Sequence, residues 1–303
     1  MPRLLSRAGA MLAVCIAIAF FCALGLRLMA TGSSSAGSAV AGAARDVLSF
    51  SSGLLHGTLG NVIRTTGRQR QFVPVASLAF DAYRNSMGLL AVAFCIAAFA
   101  GPTAGVIAAR TDGSALSLGV MALTLLGVSL PSFFAALALQ VAEITFYSRT
   151  GVRLVPVGGF GWDAHLVLPA LVLAARPVAQ LARITHSSLT EVAGQDYVLT
   201  ARAKGLPRSQ VWSDHIVPNA LVPILTAAGI SLRFSLGSLP VVEYFFGWPG
   251  MGATLLSAVR ARQTNLVIAL ALALGLTFMC INLLLETVYR RIDPRLRSSA
   301  AQQ

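Results

Sequence analysis

The sequence predicts an all-α integral membrane protein with about six transmembrane helices. Hydrophobic residues fill 56% of the 303 positions and charged residues only 11%, where a soluble domain carries about 25% charged. Mean hydropathy is +0.74. The apolar residues gather in runs long enough to cross a bilayer core, which takes about 20 helical residues. Such a chain lacks the polar surface of a soluble domain. The same numbers exclude disorder, a collagen-like repeat and a secreted disulfide scaffold.

Taken in order, the apolar stretches are 8–30, 87–109, 116–147, 165–184, 220–242 and 266–289. The first follows Arg3 and Arg7. A cleaved signal peptide is the alternative there, because Ala39-Val40-Ala41 mimics a small-residue cleavage site. The apolar core of that stretch exceeds the roughly 7–15 residues of a signal h-region, which favours a retained helix. Residues 1–31 then form the N-terminal tail and first helix, and 32–86 a small external region. That region starts Ser/Gly/Ala-rich and turns mildly amphipathic over 46–63. A transmembrane core over 87–290 and a cytoplasmic tail over 291–303 complete the chain.

Within the core, the third stretch is read as one span carrying Ser129-Leu130-Pro131. The fourth is short and interrupted at Arg176-Pro177. The polar segment 191–219 reads as helix, turn, helix. Good helix formers occupy 196–204, Gly205 can close that helix and Pro207 can open the next. A pair of short helices on an inside loop points to a docking element, and a solvated connector is the plainer reading.

Twenty-three Lys and Arg against eleven Asp and Glu give a net charge of +12. Lys204 is the only lysine, and the arginines are scattered along membrane flanks rather than clustered among aromatics. That distribution excludes a nucleic-acid surface. With a cytoplasmic N-terminus, the inside segments hold Arg3, Arg7, Arg110, Arg202, Lys204, Arg208, Arg290, Arg291, Arg295 and Arg297. The outside segments hold nearly as many, but most of those sit in the long first loop, which weighs less. Both ends are therefore expected inside.

No catalytic machinery is visible. A P-loop needs G-x-x-x-x-G-K-[ST], and the only lysine follows Ala203 and precedes Gly205. Cys15, Cys22, Cys95 and Cys280 each lie in an apolar run without C-x-x-C spacing, and the histidines are far apart. The expectation is no catalytic residue, no metal site and no cofactor in this chain.

Two stretches are specific enough to carry a resemblance. One runs Gln195-Asp196-Tyr197-Val198, then Thr200-Ala201-Arg202-Ala203-Lys204-Gly205-Leu206, and continues through Pro218-Asn219-Ala220. The other is Glu243-Tyr244-Phe245-Phe246-Gly247-Trp248-Pro249-Gly250-Met251-Gly252. Together they resemble ABC importer permeases of the dipeptide/oligopeptide/nickel branch. Supporting matches are the stretch from Gly53 to Gly57, Ser129 and Pro131 in the third span, and Asp293-Pro294-Arg295. A Gly-Asp-Pro that this branch carries after its first span is missing.

The resemblance implies a type I ABC importer-like permease in the cytoplasmic (inner) membrane of a bacterium or archaeon. It implies a homologous second permease as heterodimer partner, ATP-binding ABC subunits that hold ATP and Mg, and an extracytoplasmic substrate-binding protein. Cargo would be di- or oligopeptides, with nickel chelates, glutathione or another small solute as alternatives. The ATPase-coupling residues implied are Asp196, Tyr197, Ala201, Arg202, Lys204 and Gly205, with Ala201 and Gly205 allowing close approach. Glu243, Trp248, Pro249 and Gly250 form the external signature.

Charged residues inside a membrane are functional candidates by default. Arg176 and Arg233 fall mid-span, and with Ser129 and Pro131 they are the translocation-path candidates. Snorkelling or pairing within the protein is the plainer account of each arginine. His186 stands where the branch commonly has arginine, which weakens the charge at the inner end of span four. An ion-coupled secondary transporter would place acidic residues at mid-membrane, and a purely structural membrane subunit would need none of this machinery.

Overall fold

The computed structural model describes residues 2–31, 36–66 and 69–292. The Asp293-Pro294-Arg295 motif and the rest of the C-terminal tail lie outside the described residues, as do the side chains of Arg3 and Arg7. Among the described residues five helices are long and apolar enough to cross a membrane, and six if a bent pair of helices is counted as one span. The chain divides into two compact units.

The first unit holds residues 1–87 and 247–282. Helix α1 (Pro2–Thr31) is followed by α2 (Ala36–Leu55), which folds back antiparallel along the C-terminal half of α1. Small residues allow that approach: Ala19, Ala23 and Ala43 are buried together with Phe50 and Ile268. Arg27 fixes the register, donating from Nε and Nη2 to the two carboxylate oxygens of Asp46 at 2.7 Å each. The amphipathic stretch expected over 46–63 is thus split. Its first half belongs to α2, which starts at Ala36, and its second half enters a hairpin.

That hairpin is the departure from an all-α reading among the described residues. Strands β1 (Asn61–Thr66) and β2 (Gln69–Pro74) pair antiparallel, with Asn61 opposite Pro74 and Thr66 opposite Gln69. Val62, Ile63, Thr65 and Thr66 favour extended backbone, and Gly60 takes φ +80° before it. Gln263 and Asn265 tie it down, donating to the carbonyls of Ile63 (2.9 Å) and Leu59 (3.1 Å).

Helix α3 (Val75–Arg110) starts inside what the sequence assigned to the external region. Its 36 residues rise about 54 Å, well beyond a hydrocarbon core of about 30 Å. The extra turns carry Asn85 and Ser86, which hold the stretch after the fifth membrane helix. Trp248 is fully buried, and its indole N–H donates to the Asn85 carbonyl at 3.1 Å. Asn85 Nδ2 donates to the Pro249 carbonyl at 3.1 Å, and the Met251 N–H donates to Ser86 Oγ at 2.7 Å. Gly250 is the extended N-cap of α10 (Met251–Arg260), and α11 (Thr264–Ile292) follows.

The second unit holds 88–246 and 283–303. Helix α4 (Ala115–Ser129) starts at Ser114, whose hydroxyl accepts from the Ser117 N–H. It breaks at Leu130-Pro131, and α5 (Ser132–Thr150) leaves at 111°. The third span is therefore not one helix. Pro131 has no N–H to donate and pushes Leu130 out of the helical region, to φ −74° and ψ 123°. Beyond α5, the buried carboxylate of Glu143 accepts from the N–H groups of Leu154 (2.8 Å) and Val155 (3.2 Å), closing the chain back on the helix. Asp163 accepts from the His165 N–H and ring, which holds its carboxyl below the usual range.

Helix α6 (Val167–Ala193) corrects the expectation of an interrupted fourth span. It runs unbroken through Arg176 and Pro177, because the proline is buried among neighbours that stabilise the turn whose hydrogen bond it removes. Gly101 and Gly105 of α3 lie against α6 so closely that a Cβ would sit 2.6 Å from Leu181 Cβ and 2.5 Å from the Ala182 carbonyl oxygen. Helix α9 (Val217–Phe246) packs along α6 on another side.

The Trp248 lock makes a direct prediction. Trp248→Ala should destabilise the protein by about 3–5 kcal/mol through cavity formation, while Trp248→Phe should cost about 1 kcal/mol for the lost hydrogen bond. Thermal unfolding in detergent measures both. Equal stability of all three proteins would show that the lock holds nothing.

Candidate functional site

The segment between α6 and α9 folds as the sequence implied. Gln195 is the extended N-cap of α7 (Asp196–Ala203), with Asp196 in its first turn and Arg202 in its last, each favourable toward the helix dipole. Gly205 takes φ +80°, and its N–H donates to the Arg202 carbonyl at 3.0 Å, so the chain reverses. Pro207 caps α8 (Arg208–Gln210), which runs through a π-helical turn, Val211–Ile216, into α9.

The two faces of α7 differ. Val198 is fully buried and Ala201 only 5% exposed, both in a cluster with Leu189, Val211, Ile216 and Ala220. Spacing of three puts Val198 and Ala201 on one helical face, and that face belongs to the chain's own core. Ala201 thus faces the chain's own core rather than outward. Asp196, Tyr197, Arg202, Lys204 and Gly205 are exposed, together with Leu199. Sequence reasoning missed two contacts, one to Trp212 of the loop and one between α6 and the turn after α3. The Arg110 guanidinium lies 5.1 Å above the Trp212 ring, and His186 Nε2 lies 3.2 Å from Asp112 Oδ1. Their separation along the chain left no local signal.

A second feature lies at the α4–α5 break. Ser129 and Pro131 are exposed at the bend. The crevice beside them has about 80 Å³ of room and is lined by Leu130, Ser132, Arg176, Phe234, Ser235 and Ser238 among others. Arg176 Cζ sits 4.9 Å above the Phe234 ring. Arg233 is next in sequence to Phe234 but about 100° around the helix, and it is absent from the crevice lining. It shares a face with Gly229, which meets Tyr289 and Leu285 of α11. Its Nε is buried without a hydrogen-bond partner among the described residues. The structure does not bring the two arginines together.

Of the external signature, Trp248 and Pro249 form the lock to Asn85, while Gly250 caps α10 and the following Met251 bonds Ser86. Glu243 is fully buried within α9. Sequence reasoning found that stretch but not its partners in α3.

Residues 101–298 match the family described as binding-protein-dependent transport system inner membrane component. A Brucella abortus (strain 2308) protein, named as a peptide transport system permease, is 38% identical over 74% of this chain and 72% of its own length. The dipeptide transport system permease protein DppB of Escherichia coli (strain K12) is 31% identical over 81% of this chain and 78% of its own. Among solved structures, an amino acid ABC transporter with histidines matches at a TM-score of 0.55 and 17% identity, covering 71% of this chain and 94% of that one. The MetNI methionine ABC transporter in inward facing conformations matches at 0.53 and 19%, covering 72% and 97%. At that identity the two structures speak for the fold alone. The family match and the extent of the two relatives establish that this chain belongs to the binding-protein-dependent transport system inner membrane components.

Proposed function

We propose that the chain is the transmembrane permease subunit of an ATP-driven, binding-protein-dependent ABC importer for di- or oligopeptides. The names of the Brucella and Escherichia relatives support the cargo. In this reading a homologous second permease completes the pathway, partner ABC subunits bind ATP and Mg, and a binding protein delivers peptide. The observation that carries it is the two-faced α7 helix. Its apolar side is fixed in the permease core, so a force applied to its exposed side reaches the ends of α6 and α9 directly. Asp196, Tyr197, Leu199, Arg202 and Lys204 offer charge and apolar area to a partner there.

Gly205 provides the test. No atom lies within 4 Å of a Cβ added there, so a side chain acts only through its φ of +80°, at a cost of about 1–2 kcal/mol. Gly205→Val should leave insertion intact, yet cut the peptide-stimulated ATPase rate of the reconstituted complex about tenfold or more. Gly205→Asn, which tolerates the left-handed region, should retain most of it. Wild-type stimulation in both variants would make the loop a connector.

The topology in this reading has both chain ends and α7 in the cytoplasm, with the loop after α2 on the other side. The exposed Thr58 and Ser209 serve as reporters. Cysteines placed there, in a chain with the four native cysteines replaced, should react with an impermeant thiol reagent from opposite sides. Reaction from one side would refute the arrangement.

A further inference from the structure

We infer that the crevice at the α4–α5 break is a carboxylate-binding site within the permease, seating a carboxylate of the cargo. The inference rests on the peptide-import reading above and names the group recognised inside the membrane part of the machine. Three observations converge there.

The first is the broken span. Helix α5 has 19 residues and starts at the break with no side-chain cap. Its first helical hydrogen bond runs from the Ala135 N–H to the Pro131 carbonyl. The N–H groups of Ser132, Phe133 and Phe134 therefore have no acceptor within the helix. They carry the positive end of the helix dipole, and Ser132 lines the crevice. In water such groups would be hydrated. At a break within a span they require an acceptor from a ligand or from water in the path.

The second is Arg176. It lines the same crevice from α6, with Cζ over the Phe234 ring. A guanidinium held over a ring still has N–H groups that can bond a planar anion. No Asp or Glu lines the crevice, and no described carboxylate pairs with Arg176.

The third is Ser235. It is 2% exposed, and its hydroxyl has no hydrogen-bond partner among the described residues. A buried hydroxyl without a partner is costly, and this one lines the crevice. Arg176, Ser132 at the start of α5 and Ser235 line one small space, and each carries a donor. A planar two-oxygen anion satisfies them together, and a cation or an apolar group satisfies none.

Uptake by the complete transporter, reconstituted with its ATPase and binding-protein partners, tests the site. A tripeptide and its C-terminal amide are compared at saturating concentration, and the ratio of their rates is read in each variant. The same binding protein serves every sample, so changes in the ratio belong to the permease. Arg176→Gln should lower the preference for the acid about tenfold, the weight of one charge-assisted hydrogen-bonded contact. Arg176→Lys should fall between it and wild type, and Ser235→Ala should lower the preference about threefold. Arg149→Gln, an exposed arginine at the far end of α5, should leave it unchanged. Should Arg176→Gln fail to assemble, the lysine and serine variants carry the same measurement. As a binding readout, a cysteine at Ser238 should be protected from a thiol reagent by the acid and not by the amide. Equal ratios in all variants, or equal protection by acid and amide, overturn the site while the importer reading stands. A wild-type complex that takes up neither peptide overturns both.

Discussion

Helix α6 meets its neighbours through small residues, and the second unit depends on that close approach. Between helices in lipid there is little hydrophobic driving force, so association comes from backbone proximity and van der Waals contact. Gly101 and Gly105 of α3 and Gly127 of α4 each leave no room for a side chain against α6. On the α6 side they meet Ala175, Val178, Ala179, Leu181, Ala182 and Thr185. Helix α6 passes Pro177 without a break. The seating also fixes two points of the helix, with Arg176 set against Phe234 at mid-helix and Leu189 set into the core of the inner loop near its end.

Buried polar groups do the complementary work of holding irregular backbone. A turn beside a membrane span exposes N–H and C=O groups that lipid cannot satisfy. The side chains of Glu143, Gln140 and Asn85 meet that need. Gln140 donates to the carbonyls of Val157 (2.7 Å) and Phe245 (3.1 Å), joining two segments far apart in sequence. Glu143 and Asn85 act alike on the stretches at 154–155 and 249. These three side chains serve the architecture. The uncommitted donors at the α4–α5 break stand out for that reason.

The proposed coupling rests on the inner loop. A helix fixed on one face and exposed on the other moves only with the elements it is fixed to. Here those elements are the C-terminal turns of α6 and the π-helical turn that opens α9. The π-helical turn departs there from the regular α-helical hydrogen-bond ladder. The cation–π contact of Arg110 with Trp212 ties the same region to the end of α3.

Much of this was legible in the sequence. Composition and run length determined the membrane class and the six spans, because twenty apolar residues in a row have no stable place in water. The motif from Gln195 to Leu206 determined the inner helix and its glycine reversal, since Gly205 alone there adopts φ +80° without strain. Tertiary structure decided the rest. Pro131 breaks its span while Pro177 does not, because only the second is surrounded by packed neighbours that compensate the missing hydrogen bond. Ala201 faces the core while Tyr197 faces out, because the cluster around Val198 is assembled from α6, α7 and α9. Arg176 and Arg233 look equivalent along the chain, yet one lines a crevice and the other turns toward Tyr289. That difference is set by the rotation of each helix against its neighbours, which depends on packing partners distant in sequence.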